Sequence, residues 1–552
     1  MKLPKIATSF QRLKRINLDA VEKRFSRKIL RRDLSEIIVF LAVICYTIIL
    51  SYYAIAKYNA FNAYAWDLGI FNQSLWTTLH TKNFLFSTVE LFINPTGSFF
   101  GTHFSPILFL VLPFYALYSS PETLLVFQSA ILALGAVPLY FFTKDALNNR
   151  VLAVAFSLSY LLYPALHGVN SFDFHVQAFL PLFFFCFMYY LGKEKWPHYF
   201  FFLFMSLFVA ENVPVIMIFI GLYCFWLYRK DIVESIRRRT VSNKRLLIPV
   251  VTIVIAFSWK FFASWIQTTF FPFNPEYLQI FKAVDNWSIL GVTGDPLLLP
   301  IQVILHPGNA IAAFTFDIYP KMLYLCLLFA PLLFLSLDNS LTIITLVWLV
   351  PSLLSNYSPY YLIGTHFPAY IIPFIFLAAV GAVKKRVPRQ FFSSLGSYAR
   401  NILLAGLLFA FIASPLSPII ANSSGYAFSF SSYSLGMTEH DKLLNTIVDM
   451  VPRNASVLTQ NNIFPHFSSR VNAYVYPIPI HLERAPPDAI NKYINDTISK
   501  CDYVLVDTAT DPSASTALIG KLNNLTYVTY AAADGIYLFK RNYQGDLTLN
   551  VP

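Results

Sequence analysis

Residues 62–80, NAYAWDLGIFNQSLWTTLH, and 101–108, GTHFSPIL, decide how the chain reads. They follow the first apolar run long enough to cross a bilayer, about Glu36 to Ala56. They place an acid, Asp67, among aromatics, then a His-Phe-Ser-Pro turn, His103 to Pro106, that opens another apolar run. Polar groups held between apolar helices at a membrane surface point to a reacting or binding edge. Apolar residues at Leu68, Phe71, Leu75 and Leu79 have helical spacing and predict a short interfacial helix over Asp67–His80. Phe104–Tyr118 is apolar, but it is 15 residues long and is broken by Pro106 and Pro113. That is short for a span, so it reads as a re-entrant or surface helix within an external loop, 57–120.

The composition around this loop is that of a polytopic membrane protein. Of 552 residues, 56% are hydrophobic and 13% charged, about half the charged share of a soluble domain. The mean hydropathy is +0.54. The 54 Phe suit lipid-facing surfaces, and the 33 Tyr suit the interface, where the ring packs and the hydroxyl stays wet. The net charge of +12 is concentrated before Arg32 and between Arg229 and Arg245. These clusters flank apolar runs, so they read as topology signals and lipid-headgroup contacts rather than a nucleic-acid surface. With residues 1–35 cytoplasmic and the first run an uncleaved anchor, the charges predict about eleven spans over 36–420, N-terminus inside and C-terminus outside. Cys45, Cys186, Cys224 and Cys326 lie in apolar runs and Cys501 stands alone in the tail, which argues against a disulfide framework or a cysteine-built metal site.

Residues 421–552 read as a separate external α/β domain. SVLT (456–459), YVLVD (503–507), TYVTY (526–530) and GIYLFK (535–540) have strand character, and EHDKLLNTIVDMV and PSASTALIGKLNN read as helices between them. Sequons at Asn422, Asn454, Asn495 and Asn524 fit an external location. No Gly-x-Gly-x-x-Gly or P-loop supports nucleotide binding.

His103, Asp173, His175, Glu211 and His366 all fall at external helix ends in this topology. Imidazole and carboxylate together suit a divalent cation, so Asp173, His175, Glu211 and His103 would form a metal site if they converge. Single histidines, however, usually satisfy local hydrogen bonds, and Glu211 reads equally well as a solvated turn. Asp67 reads either as the N-cap of a helix from Leu68 or as a base. Lys57, Lys82, Lys260, Lys282 and Lys321 are the external cations available for an anion, each also readable as a snorkelling anchor.

The motifs WDLGIFNQSLW (66–76), HFSPIL (103–108), FDFHVQAF (172–179) and YIIPFIFLAAVGA (370–382) resemble a polytopic prokaryotic family, domain of unknown function 2079. VPRNASVLTQNNIFPHFSSR (451–470) and YVLVD extend the resemblance into the tail. That family is similar to the GT-C membrane glycosyltransferases. The resemblance implies sugar transfer from a polyprenyl or dolichyl phosphate carrier on the external face of the cell envelope. On that plan Asp67 corresponds to the acid of the first loop and His103 to the histidine opening the next helix. Asp67 would be the base, Trp66 and Tyr64 a stacking face for sugar, and Asp173, His175, Glu211 and His366 substrate-binding residues. Many such enzymes carry two adjacent acids in this loop; here Leu68 follows Asp67, which weakens a metal role for the loop. A transporter and a non-catalytic cell-surface scaffold are the competing readings. The absence of internal repeats and of acids at span centres argues against the transporter.

Overall fold

A computed structural model describes residues 34–237, 244–275, 286–292, 298–386, 392–417, 436–476, 487–522 and 526–545. The basic N-terminus, Lys282, Asp285, Asp295, Asn422 and Asn524 lie outside these residues.

The apolar runs become helices, four of which are long and apolar enough to cross a membrane: Leu34–Asn59, Pro121–Leu147, Leu247–Phe270 and Gly396–Ala413. Three bent pairs raise this to at most seven among the described residues. The expected eleven is not reached by this measure, because several apolar stretches among the described residues break before they reach bilayer length. Trp196–Leu207 has 12 residues and rises about 18 Å, against roughly 30 Å of hydrocarbon. The span expected over Met322–Leu337 stops at Phe329, where Pro331 and the left-handed Leu333 and Phe334 (φ 55° and 54°) turn the chain. Leu108–Tyr115 is eight residues long and is no span.

The first helix, Leu34–Asn59, packs on Pro121–Leu134 and Arg150–Leu161, and Val213–Leu227 packs along Lys244–Phe270. Outward faces stay apolar, with Phe40, Leu41, Ile48, Val254, Phe261, Leu404 and Phe411 exposed, as lipid contact requires.

The tail forms a five-stranded sheet, order β2-β1-β3-β5-β4, from β1 (Val457–Gln460), β2 (Ala473–Tyr476), β3 (Tyr503–Asp507), β4 (Tyr527–Ala533) and β5 (Ile536–Arg541). β1 runs parallel to β2 and β3, and β5 runs antiparallel to β3 and β4. The sequence reading missed β2 and the helix Pro487–Ile498. β2 is four residues whose partner lies elsewhere in the chain, so little local pattern announces it.

The tail grips the opening loop. The predicted interfacial helix is present as Ile70–Thr81, but it carries a buried polar face into protein. Asn72 donates to Ser468 at 2.8 Å, and Gln73 to the Arg470 carbonyl at 2.9 Å. Phe92 from the same loop packs into the tail core beside Leu458, Ile494 and Tyr476.

Candidate functional site

Asp67 sits in a π-helical turn, Ala65–Gly69, entered from the extended Tyr64. It does not cap the helix; the Tyr64 carbonyl accepts from Gly69 N–H at 3.0 Å. The turn is held from two sides. Ala65 N–H is shared between the backbone carbonyl and the side-chain Oδ1 of Asn461, both 2.9 Å away, at the carboxyl end of β1. Gly69 lies over the Phe464 ring, where a Cβ would stand 2.6 Å from the ring edge, so only glycine fits.

From the membrane side, Tyr64 N–H donates to Oδ2 of Asp173 at 2.9 Å. Oδ1 of Asp173 takes the Lys57 ammonium at 2.7 Å, which also donates to the Ser171 carbonyl at 2.8 Å. Lys57 is thus no snorkelling anchor; it is buried and paired. Burial pushes the Asp173 carboxyl up, Lys57 opposes this, and nearby Asp67 adds to the rise, leaving it at about 6. Asp173 adopts φ 92°, a strained backbone for a non-glycine residue. Gln128 fixes that backbone, donating to the carbonyls of Asp173 (2.7 Å) and Asn170 (3.0 Å) and accepting from His175 N–H (2.7 Å).

His175 Nε2 thereby comes within 3.1 Å of Asp67 Oδ1. Its ring stacks on His366, with centroids 4.0 Å apart and planes inclined by 9°. Gly168 permits this meeting, since a Cβ there would lie 1.9 Å from the Ile363 carbonyl oxygen. His366 is held well below the ordinary imidazole range, first by burial, then by His175 and His103.

A second pair stands beside the first. His103 Nδ1 meets Glu211 Oε1 at 3.1 Å, so Glu211 is more than a solvated turn. Burial opposes protonation of His103, but the Glu211 carboxylate prevails and raises its pKa; Glu211 is lowered in return, against its own burial. Glu90 lies behind His103, fully buried, with Oε2 accepting from Thr102 at 2.5 Å and Asn94 at 3.1 Å. Burial pushes its carboxyl up to about 8.

The structure therefore gathers every expected site residue into one region, but as linked pairs. Asp173 belongs to Lys57, His175 to Asp67 and Glu211 to His103. Among the described residues no three His, Cys, Asp or Glu are arranged to hold a metal ion, so the expected four-residue cation site is not formed. Sequence reasoning missed Gln128 and Glu90. The signal for Gln128 was a lone amide inside an apolar span; Glu90 carried none.

Residues 57–538 match the family described as a predicted membrane protein, DUF2079. The chain belongs to this family. The match takes in every DUF2079 residue named in the site, from Lys57 to Asn461 and Phe464. No curated protein matches the chain. Among solved structures, the DUF2079 chain is similar to the Archaeoglobus fulgidus oligosaccharyltransferase tethered with an acceptor peptide containing the NVT sequon. The two are 12% identical over 94% of this chain and 75% of that one, with a TM-score of 0.36. The same enzyme in complex with Zn and sulfate gives 12% identity over 93% and 74%, with a TM-score of 0.35. At that level of superposition no residue role transfers to the DUF2079 site.

Proposed function

We propose that this membrane protein is a glycosyltransferase-like enzyme that moves a sugar from a polyprenyl or dolichyl phosphate carrier to an acceptor on the external face. The observation that carries the reading is Asp67. Its carboxylate, 22% exposed, stands 3.1 Å from His175 on one oxygen, and no other side chain among the described residues is hydrogen-bonded or ion-paired to either oxygen. A carboxylate beside an imidazole and still reachable suits a base at an acceptor hydroxyl. The sequence motifs shared with GT-C-like proteins point to the same residue.

In this reaction the acceptor hydroxyl gives its proton to Asp67 as its oxygen bonds to the anomeric carbon. The bond from that carbon to the carrier phosphate breaks, and the electron pair leaves on the phosphate oxygen. His175 holds the carboxylate's orientation, and Trp66 and Tyr64 flank it as a sugar-stacking face. Among the described residues no donor set fits a metal.

The test is a radiolabelled lipid-linked sugar panel with the full chain in nanodiscs. Asp67→Asn keeps the shape and removes the base, so transfer should fall by about 10²–10⁴-fold with folding retained. A folded Asp67→Asn protein that still transfers sugar at the wild-type rate overturns the assignment. A wild type that transfers none of the sugars favours the scaffold reading.

A further inference from the structure

The departing phosphate carries negative charge, yet among the described residues the candidate lysines are committed or distant. Lys57 is buried against Asp173. Lys321 is buried with its ammonium on the Ala313 carbonyl at 2.7 Å. Lys260 reaches the Glu211 carbonyl at 3.3 Å. Lys82 follows the far end of Ile70–Thr81, about 18 Å of helix from the Asp67 turn.

Three imidazoles stand at the site, two of which meet a carboxylate through one ring nitrogen only. Nδ1 of His175 and Nδ1 of His366 are both buried with no hydrogen-bond partner among the described residues. Such groups are costly unless a ligand satisfies them. A metal is a poor candidate. The in-plane lone pairs of parallel rings 4.0 Å apart do not converge on one ion at the 2.0–2.1 Å typical of zinc–imidazole bonds. Each unpartnered Nδ1 can instead donate to an oxygen of an anion. His103, raised by Glu211, adds positive charge close enough to depress His366.

We infer that His175, His366 and His103 form an anion site that receives the phosphate of the lipid carrier and takes up a proton from solvent as it does so. The identity of the anion rests on the transfer reading above; the site itself rests on the unpartnered nitrogens. The charged and titratable surroundings are Asp67 at His175, Glu211 and the burial-raised Glu90 at His103, the net-neutral Lys57–Asp173 pair, and Lys260 at the Glu211 backbone. Among the described residues the titratable neighbours also include Tyr357, near Asp67, and Tyr370, near Glu211, with Tyr360 beside both. Burial and two neighbouring imidazoles keep His366 neutral in the free protein, and a phosphate reverses the charge balance. Binding therefore weakens as pH rises.

The experiment is calorimetric titration of the full chain in nanodiscs with farnesyl phosphate, at pH 6 and pH 8, in two buffers of different ionisation heat. The wild type should bind more tightly at pH 6, with proton uptake. His366→Gln should weaken binding by about 10–100-fold and abolish the uptake, as expected for losing a hydrogen bond to a charged group. His103→Gln, at a more exposed position, serves if His366→Gln does not fold, and should weaken binding in the same direction. His198→Gln, at the start of Trp196–Leu207, should bind like wild type. Unchanged affinity in the folded site variants, no proton uptake, or no binding by wild type overturns the site. Equal affinity for inorganic phosphate overturns the carrier assignment. Asp67→Asn separates the two readings, since it should lose transfer while farnesyl phosphate still binds, no more weakly than to wild type, because the carboxylate beside His175 is gone. Histidine-dependent binding without any sugar transfer would leave the anion site standing and the transfer reading fallen.

Discussion

Buried ionisable groups set the chemistry available at single residues. Lys57 and Asp173 are paired at 2.7 Å and hydrogen-bonded further, the condition under which a buried ion pair is tolerated. Glu90 has no such cation. Its folded pKa of about 8 lies above the ordinary 4.5, so the folded chain keeps a proton that the unfolded chain has lost. Between those values stability must fall as pH rises, and it levels off above about 8. Glu90→Gln removes this titration while keeping an acceptor for Thr102 and Asn94. Chemical denaturation in detergent at pH 5, 6.5 and 8 should show the wild type losing stability relative to Glu90→Gln. Parallel pH profiles would show that Glu90 is ionised in the folded protein. Neither group could be recognised from composition. Lys57 ends a span like any anchoring lysine, and only the 116-residue separation closed by the fold reveals its partner.

Elements, not loops alone, bring the site together. Pro164–Ser171 packs so tightly against residues 363–364 that Gly168 has no room for a side chain. This contact carries His366 to His175. Gly168→Ala should push the two segments apart, lower thermal stability by about 1–3 kcal/mol as overpacking does, and weaken farnesyl phosphate binding without touching the ligand. Unfolding melts and the same titration check it; wild-type behaviour in both would show that the stack does not depend on this approach. The parallel strands matter in the same way. The carboxyl end of β1 is where open α/β sheets commonly hold ligands. Here it holds the Ala65–Gly69 turn through Asn461, so the tail takes part in shaping the Asp67 site. The strands YVLVD and GIYLFK were legible because alternating or continuous β-branched runs survive in any context. Their docking onto the loop was not, because Asn461 and Ala65 are 396 residues apart.

At the scale of the whole molecule, membrane insertion follows from four to seven apolar spans and from family membership. Orientation is a proposal from charge. The basic clusters place Lys193 inside and the tail outside. Thr516→Cys, on an exposed position of Pro512–Leu522, should react with a membrane-impermeant thiol reagent in intact cells. Lys193→Cys should react only after permeabilisation. The reverse pattern would put the Asp67 site in the cytoplasm and remove the lipid-linked donor from its reach. The expected span over Met322–Leu337 differs from the helix found because hydropathy registers apolar length, whereas Pro331 and the left-handed pair Leu333–Phe334 end helices irrespective of hydropathy.

The sequence by itself determined the membrane class, the first and longest helices, most of the tail's strands and the residue types gathered around Asp67. These follow from local patterns: apolar length, strand runs and acids or histidines at helix ends. Tertiary structure alone decided which of those residues meet. It paired Lys57 with Asp173, set His175 between Asp67 and His366, and drew Glu211 to His103 rather than to a shared metal site. Those choices depend on backbone approaches such as Gly168 to Ile363 and on contacts spanning hundreds of residues. No local pattern encodes them, because each is fixed by the packing of whole helices against one another.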